Sequence, residues 1–249
     1  VERKWDKNRV FFLGSGIRSS SSTITYFANG PTDVDYTVTR VSLSRKTAEN
    51  YLGDGLYDRK ISDRFYLRIG AGWERNVFAG VDSRVNVRTG AGYTWSTANA
   101  HAFSTALLVS LTHQSETIPD PSTEDTFVGL RFTADFASKF GPEGRNAFKS
   151  LLALDENLQT TDDLRMNWLN TYTVAMSSKL ALQIGYLATF DNKPSLTAAP
   201  RYLSVIDGVP VPPAAGTVLV PLRKWDTQLT ISVVVNLTPK PPAKTCPCP

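Results

Sequence analysis

Two histidines, His101 and His113, and two cysteines, Cys246 and Cys248, are the side chains of the 249 best suited to nucleophilic or metal chemistry. His113 lies close to Ser110 and Gln114, which invites a hydroxyl–imidazole pair of the kind that activates a nucleophile. In an alternating strand, residues three apart point to opposite faces. His113 shares its parity with Leu111 and faces outward, whereas Ser110 faces inward, so no such pair is expected. His101 falls in a short connection. No carboxylate dyad or Gly-rich phosphate loop accompanies them, and the expectation is a protein that is not an enzyme and takes no cofactor. The closing Cys246-Pro-Cys248 cannot complete a tetrahedral metal site alone. It suits an interchain disulfide in an oxidising compartment, or a solvated tail.

The remaining chemistry is ionic. Arg68, Glu74, Arg88, Arg131, Asp135, Lys139, Lys149, Asp155 and Arg165 recur along the chain at one parity of apolar–polar alternation. The run from Phe65 to Trp95 shows why. Phe65, Leu67, Ile69, Ala71 and Trp73 share one parity; Tyr66, Arg68, Gly70, Gly72 and Glu74 share the other. The next run sets Val85, Val87, Ala91, Tyr93 and Trp95 against Asn86, Arg88, Gly90, Gly92 and Thr94. Side chains alternate across a strand, so each such run has one greasy and one polar face. Similar runs centre on Val109, Phe132, Leu152, Trp168, Ile184 and Ile231.

Many of these runs reach about ten residues, the length a tilted strand needs to cross a bilayer. Lipid-facing positions are then Leu67, Ile69, Val109, Phe132, Trp168, Ile184 and Ile231. Aromatics gather towards strand ends: Phe65, Trp73, Tyr93, Trp95, Tyr186, Phe190 and Trp225, as in interfacial girdles. A soluble sandwich or lipocalin-like barrel would turn the apolar face inward. Its outer polar face would seldom carry so much Gly, Ser and Thr, which a crowded lumen accepts readily.

Connections largely alternate between short (Ser62–Arg64, Ser96–Ala100, Ser177–Lys179) and longer (Asn76–Ser83, Gln114–Glu124, Asp191–Lys224), although Gln159–Asp163 is short for its place. Outer-membrane barrels have short periplasmic turns and longer outside loops. The fold class expected is therefore all-β: a transmembrane antiparallel up-and-down β-barrel in the cell outer membrane, both termini periplasmic. Arg9–Ile17, Ser22–Ala28, Val34–Ser44 and Tyr51–Ile61 read as four strands before Phe65, giving twelve, with ten as the alternative. A parity switch between Val38 and Val41 suggests a bulge. Residues 1–8 form a periplasmic N-terminal segment, 9–237 the barrel and 238–249 a Pro-rich periplasmic tail. The last strand ends at Leu237, not at an aromatic, which the barrel assembly machinery usually reads.

Composition agrees. The chain is 41% hydrophobic and 20% charged, with mean hydropathy −0.19, and no stretch is long and apolar enough for a membrane helix. No signal peptide is legible at Val1; either the numbering begins after cleavage or there was none. Lys and Arg are scattered at a net charge of +4, which argues against nucleic acid. The partners expected are outer-membrane lipid and lipopolysaccharide, the barrel assembly machinery during biogenesis, and a protein reached through the outer loops or the tail.

The runs "SDRFYLRIGAGWERNVFAGVDSRVNVRTGAGYTW", "NTYTVAMSSKLALQIGYLATFDNKP" and "WDTQLTISVVVNL" resemble the YdiY-like family of salt-induced outer-membrane proteins of unknown function. The likeness spans about Phe11 to Leu237, and Asp63–Phe65 and the Gly80–Asp82–Arg84 loop carry most of it. It implies an outer-membrane β-barrel and brings no catalytic residue or ligand. The chain departs from the family around Ser19–Asp33 and in its tail, which bears on strand number rather than architecture. The function expected is a structural or accessory envelope component with a largely filled lumen. The alternatives are a narrow channel for small solutes or ions and a barrel anchoring a larger envelope assembly.

Overall fold

Period-two alternation becomes extended backbone almost throughout the computed structural model, which describes residues 1–29, 37–98, 100–120, 124–177, 179–201, 205–206, 209–210 and 216–235. In chain order the strands are β1 (Glu2–Lys4), β2 (Asn8–Asn29), β3 (Thr37–Lys60), β4 (Phe65–Asn76), β5 (Val81–Thr97), β6 (His101–Glu116), β7 (Thr126–Phe140), β8 (Asn146–Asn157), β9 (Leu164–Ala175), β10 (Leu180–Asp191), β11 (Leu196–Arg201), β12 (Val205–Ile206), β13 (Val209–Pro210), β14 (Gly216–Pro221) and β15 (Trp225–Val235). Eleven of them form one antiparallel sheet in the order β1 to β10 followed by β15. Each strand pairs with its sequence neighbour, so the topology is up-and-down. The sheet curls into a half-barrel, with free edges at β15 and along β2 beyond β1.

The expected count of twelve is corrected here. Arg9–Ile17 and Ser22–Ala28 are parts of the single 22-residue β2, and Tyr51–Lys60 of the expected Tyr51–Ile61 lies in the same 24-residue β3 as Thr37–Ser44, the described part of the expected Val34–Ser44. The Arg18–Ser21 run is polar at every position, so it carries no alternation and reads as a break between strands. It stays extended because β3 pairs with it, through a register shift that leaves Thr47 unmatched between Ser19↔Ala48 and Ser20↔Lys46. That irregularity is the local break of ladder a bulge makes, several residues beyond the parity switch. Apart from the three-residue β1, the sheet has ten long strands. Residues 30–36 and 236–249, which include the expected strand end at Leu237 and Cys246 and Cys248, lie outside the described residues.

The glycines of the two Gly-Ala-Gly runs are on the inner face, where space is short. A Cβ at Gly72 would stand 2.9 Å from Asp54 Oδ1 and 3.1 Å from Asn86 Nδ2. One at Gly92 would run into the Tyr66 ring. These residues are absent side chains that admit large neighbours.

At one end of the sheet lie the turns 5–7, 61–64, 98–100, 141–145 and 176–179; at the other lie 77–80, 117–125, 158–163 and 192–224. The longest of these contains hairpin ladders, β11 against β14 and β12 against β13. Its base is tied down. Leu222 N–H donates to the Ser195 carbonyl at 3.0 Å, and Ser195 Oγ bonds Glu116 Oε1 at 3.2 Å. Ser195 is buried against Gly80, which holds the left-handed φ of +78° that caps the short 3-10 turn after β4.

Candidate lumenal site

The inner face is built from alternate residues of neighbouring strands, so charges meet sideways along the wall. Near the short turns, Asp58 of β3 stands opposite Arg68 of β4. Arg68 Nε donates to Asp58 Oδ1 at 2.7 Å and Nη2 to Oδ2 at 3.0 Å, a fork-to-fork pair with both residues buried. The Arg68 guanidinium lies 5.2 Å from the Tyr66 ring centroid, and Arg9 Nη1 adds a longer bond to Asp58 at 3.4 Å. Higher up, Arg88 of β5 reaches across β4 to Asp54 of β3 and donates to Asn86 Oδ1 at 2.6 Å. The glycine at Gly72 leaves the room for that reach. Arg131 of β7 and Asp155 of β8 pair at 3.6 Å.

The third tier lies near the longer connections. Arg84 pairs with Glu74 and donates to Gln114 Oε1 at 3.2 Å. Arg165 donates to Asp163 Oδ2 at 2.8 Å and sits 3.6 Å from Asp191. Its guanidinium also lies 5.7 Å from the Phe127 ring centroid. These two groups and the Arg131–Asp155 pair line a polar cleft. Two buried atoms in it, Arg165 Nε and Asp163 Oδ1, have no hydrogen-bond partner.

Sequence reasoning placed Arg68, Arg88, Arg131, Asp155, Glu74 and Arg165 on this face, and the structure brings them there. Arg131 takes Asp155, Arg68 and Arg88 take Asp58 and Asp54, and Glu74 takes Arg84. Asp135 lies on the inner face facing Ser104 and Leu151. Lys139 and Lys149 stand exposed beside the short turns. Asp54 and Asp58 were missed because Leu52 and Leu56 alternate with them at the same parity, which blurs the pattern. Asp163 and Asp191 border connections, where no alternation marks them.

The outer face carries the opposite chemistry. Leu67, Ile69, Val109, Phe132, Trp168, Ile184 and Ile231 are 37–67% exposed. Among the described residues, the buried apolar cluster consists of Tyr66, Ala106 and Leu108. Phe65, Trp73, Trp95, Tyr186 and Trp225 are exposed; Tyr93 stacks edge-on against Trp95 at 4.8 Å and Phe190 against Trp225 at 4.7 Å. Three outward indoles satisfy their N–H groups with outward hydroxyls: Trp73 on Ser83, Trp95 on Thr105 and Trp168 on Ser150, at 3.0–3.2 Å. His113 bonds Thr126 Oγ1 at 2.8 Å on this outer face, away from Ser110. His101, expected in a turn, opens β6 and bonds Ser138 Oγ at 2.9 Å.

No helix among the described residues is long and apolar enough to cross a membrane. No curated protein and no solved structure matches the chain. The model of DUF481, described as a protein of unknown function, matches residues 18–198. That is well over half of the chain, and with the all-β up-and-down sheet it establishes that the chain belongs to DUF481, the YdiY-like family.

Proposed function

We propose that the chain is an integral outer-membrane β-barrel whose lumen is largely filled by its own side chains, acting as a structural or accessory component of the envelope. The carrying observation is the reversed distribution of polarity. Arg68 and Arg88 are each 4% exposed, whereas Ile69 and Val87 between them are 55% and 54% exposed. Water on the outer face would leave that continuous apolar surface uncovered, far beyond the patches soluble monomers show. Hydrocarbon covers it at no cost, and the bonded indole N–H groups suit that medium.

In this reading the longer connections face the cell exterior and the short turns and both termini face the periplasm. Lipid and lipopolysaccharide contact the outer face, and the assembly machinery delivers the chain. The outer loops and the tail remain available for a protein partner. Purified protein refolded into liposomes tests the reading. Heat-modifiable gel migration, a strand-dominated circular dichroism spectrum and negligible solute swelling are expected. Failure to enter bilayers overturns the reading. A small, steady conductance would favour a narrow channel through the Arg84–Arg131–Arg165 cleft, and a large one a general porin.

A further inference from the structure

A sheet edge inside a bilayer is untenable, because its amides have no water to bond. Resting on the membrane reading above, the question is what covers the free edges of β2 and β15. We propose that β15 closes the sheet directly onto β2 above β1, in the antiparallel register that sets Gly14 beside Val233, Gly16 beside Ile231 and Ser22 beside Trp225, so that the N-terminal β1 and β15 share one seam.

Direction comes first. β2 starts at the short-turn end, where Asn8 pairs with Arg59, and β15 finishes there, where Val235 pairs with Leu180. The two edges are therefore antiparallel.

Backbone polarity agrees. Val1 and Phe12 exchange both main-chain bonds, at 2.7 and 2.8 Å. Even-numbered residues of this part of β2 thus aim their amides at the free edge. Asp191 N–H donates to the Lys224 carbonyl at 2.8 Å, so even-numbered residues of β15 aim at β10 and odd-numbered ones at the free edge. Both edge-facing sets carry outer-face side chains, Phe12 and Gly14 on one, Ile231 and Val233 on the other. An even-to-odd pairing satisfies the ladder and the faces together.

Stagger then selects the register. The rung beginning at Arg9 runs through Asp58, Arg68, Gly90, Leu108, Arg131, Asp155, Arg165 and Asp191 to Lys224. The proposed seam brings Lys224 beside Thr23, a shear of 23 − 9, or 14, residues. With ten strands, a rise of about 3.3 Å and a spacing of about 4.8 Å, that shear tilts the strands by about 44°, inside the range of about 35–45° for barrels. A shear two residues larger needs about 48°, outside that range. A shear two residues smaller presses Val233, Val234 and Val235 onto Phe12, Phe11 and Val10, the positions β1 already holds. The chosen register overlaps β1 at one rung only, Phe12, where Val1 holds both main-chain bonds and Val235 must turn aside. It also sets Leu13 against Val234, two inner-face apolar residues that stand 43% and 41% exposed in the open sheet.

The test uses cysteine pairs in a C246S/C248S background refolded into liposomes, with insertion first established by protease protection and heat-modifiability. S15C/S232C reports the proposed register; S15C/T230C reports the shear two residues smaller. Both place thiols on the inner face of a non-hydrogen-bonded rung, within about 5 Å between Cα atoms. On mild oxidation, S15C/S232C should form an intramolecular disulfide in the monomer, at least about tenfold faster than S15C/T230C. Preference for S15C/T230C overturns the register. A disulfide-linked dimer overturns self-closure and assigns the edges to a second copy. Inserted protein in which neither pair links overturns the seam while the membrane reading stands. A chain that never inserts removes the membrane reading, and the seam with it.

Discussion

Replacing Asp58 with Ala is the sharpest test of the lumen's ion pairs. Asp58 is 6% exposed and holds both nitrogens of Arg68, itself 4% exposed, at 2.7 and 3.0 Å. Its loss leaves the Arg68 charge buried without its carboxylate, and Arg9, a second cation with Glu2 as its own partner, cannot take the place of Asp58. Removing one member of a buried pair costs about 3–5 kcal/mol. The Arg9 contact at 3.4 Å is of the partly exposed kind worth about 1 kcal/mol or less, so Arg9→Gln should cost far less than Asp58→Ala. Replacing both members, Asp58→Leu with Arg68→Met, removes the stranded charge and should recover most of the loss. Urea titration of refolding into phospholipid vesicles, followed by tryptophan fluorescence and gel shift, gives the free energy of the wild type and of each of the three variants. A loss below about 1 kcal/mol for Asp58→Ala, or no recovery in the double variant, would refute the claim that this pair is desolvated and coupled.

The other expectations are briefer. Ile69→Arg should cost roughly 2–4 kcal/mol of folding into bilayers, since Ile69 faces outward, while Thr133→Ser on the inner face should cost little; equal effects would mean the faces are assigned wrongly. Changing Arg88 and Arg131 together to Ser, or removing residues 194–222, should raise conductance in planar bilayers, and unchanged conductance in both would remove the idea of a filled lumen. In the loop-deleted background, Asp54→Asn leaves Arg88 without its carboxylate, so the reversal potential in a salt gradient should move towards chloride; a shift towards potassium would contradict the Arg88–Asp54 pairing.

From Phe65 onward the fold was legible because the bilayer reading and strand geometry make the same demand. Each strand must alternate, so Leu67, Ile69 and Trp73 declare one face and Arg68 and Glu74 the other. Before Phe65 that demand lapses. β2 and β3 run on past the point where β4 ends, at Asn50↔Asn76, and no apolar face is needed on the part that lies beyond. Arg18–Ser21 therefore looks like a break between strands, and two strands are read as four. The pairs of the lumen were less legible than its members. Alternation gives the face a side chain occupies, whereas a partner depends on register, which no single strand carries. Arg88 reaches Asp54 over Gly72 because three strands line up Asp54, Gly72 and Asn86 on one rung.

The same register explains how a wall so rich in Arg remains stable. Arg68 meets Asp58, Arg88 meets Asp54, Arg84 meets Glu74, Arg131 meets Asp155 and Arg165 meets Asp163. Every one of these contacts joins residues of the same, adjacent or next-but-one strands, or of a strand and its bordering connection. Each of these ten charges is compensated where it stands. Local pairing also lets the pairs form as neighbouring strands zip together. A general porin gains from a strong transverse field and unpaired charges at its constriction. Here the paired charges face one another, with Tyr66 and Leu108 packed among them, which supports the proposal of a filled lumen over that of a general porin.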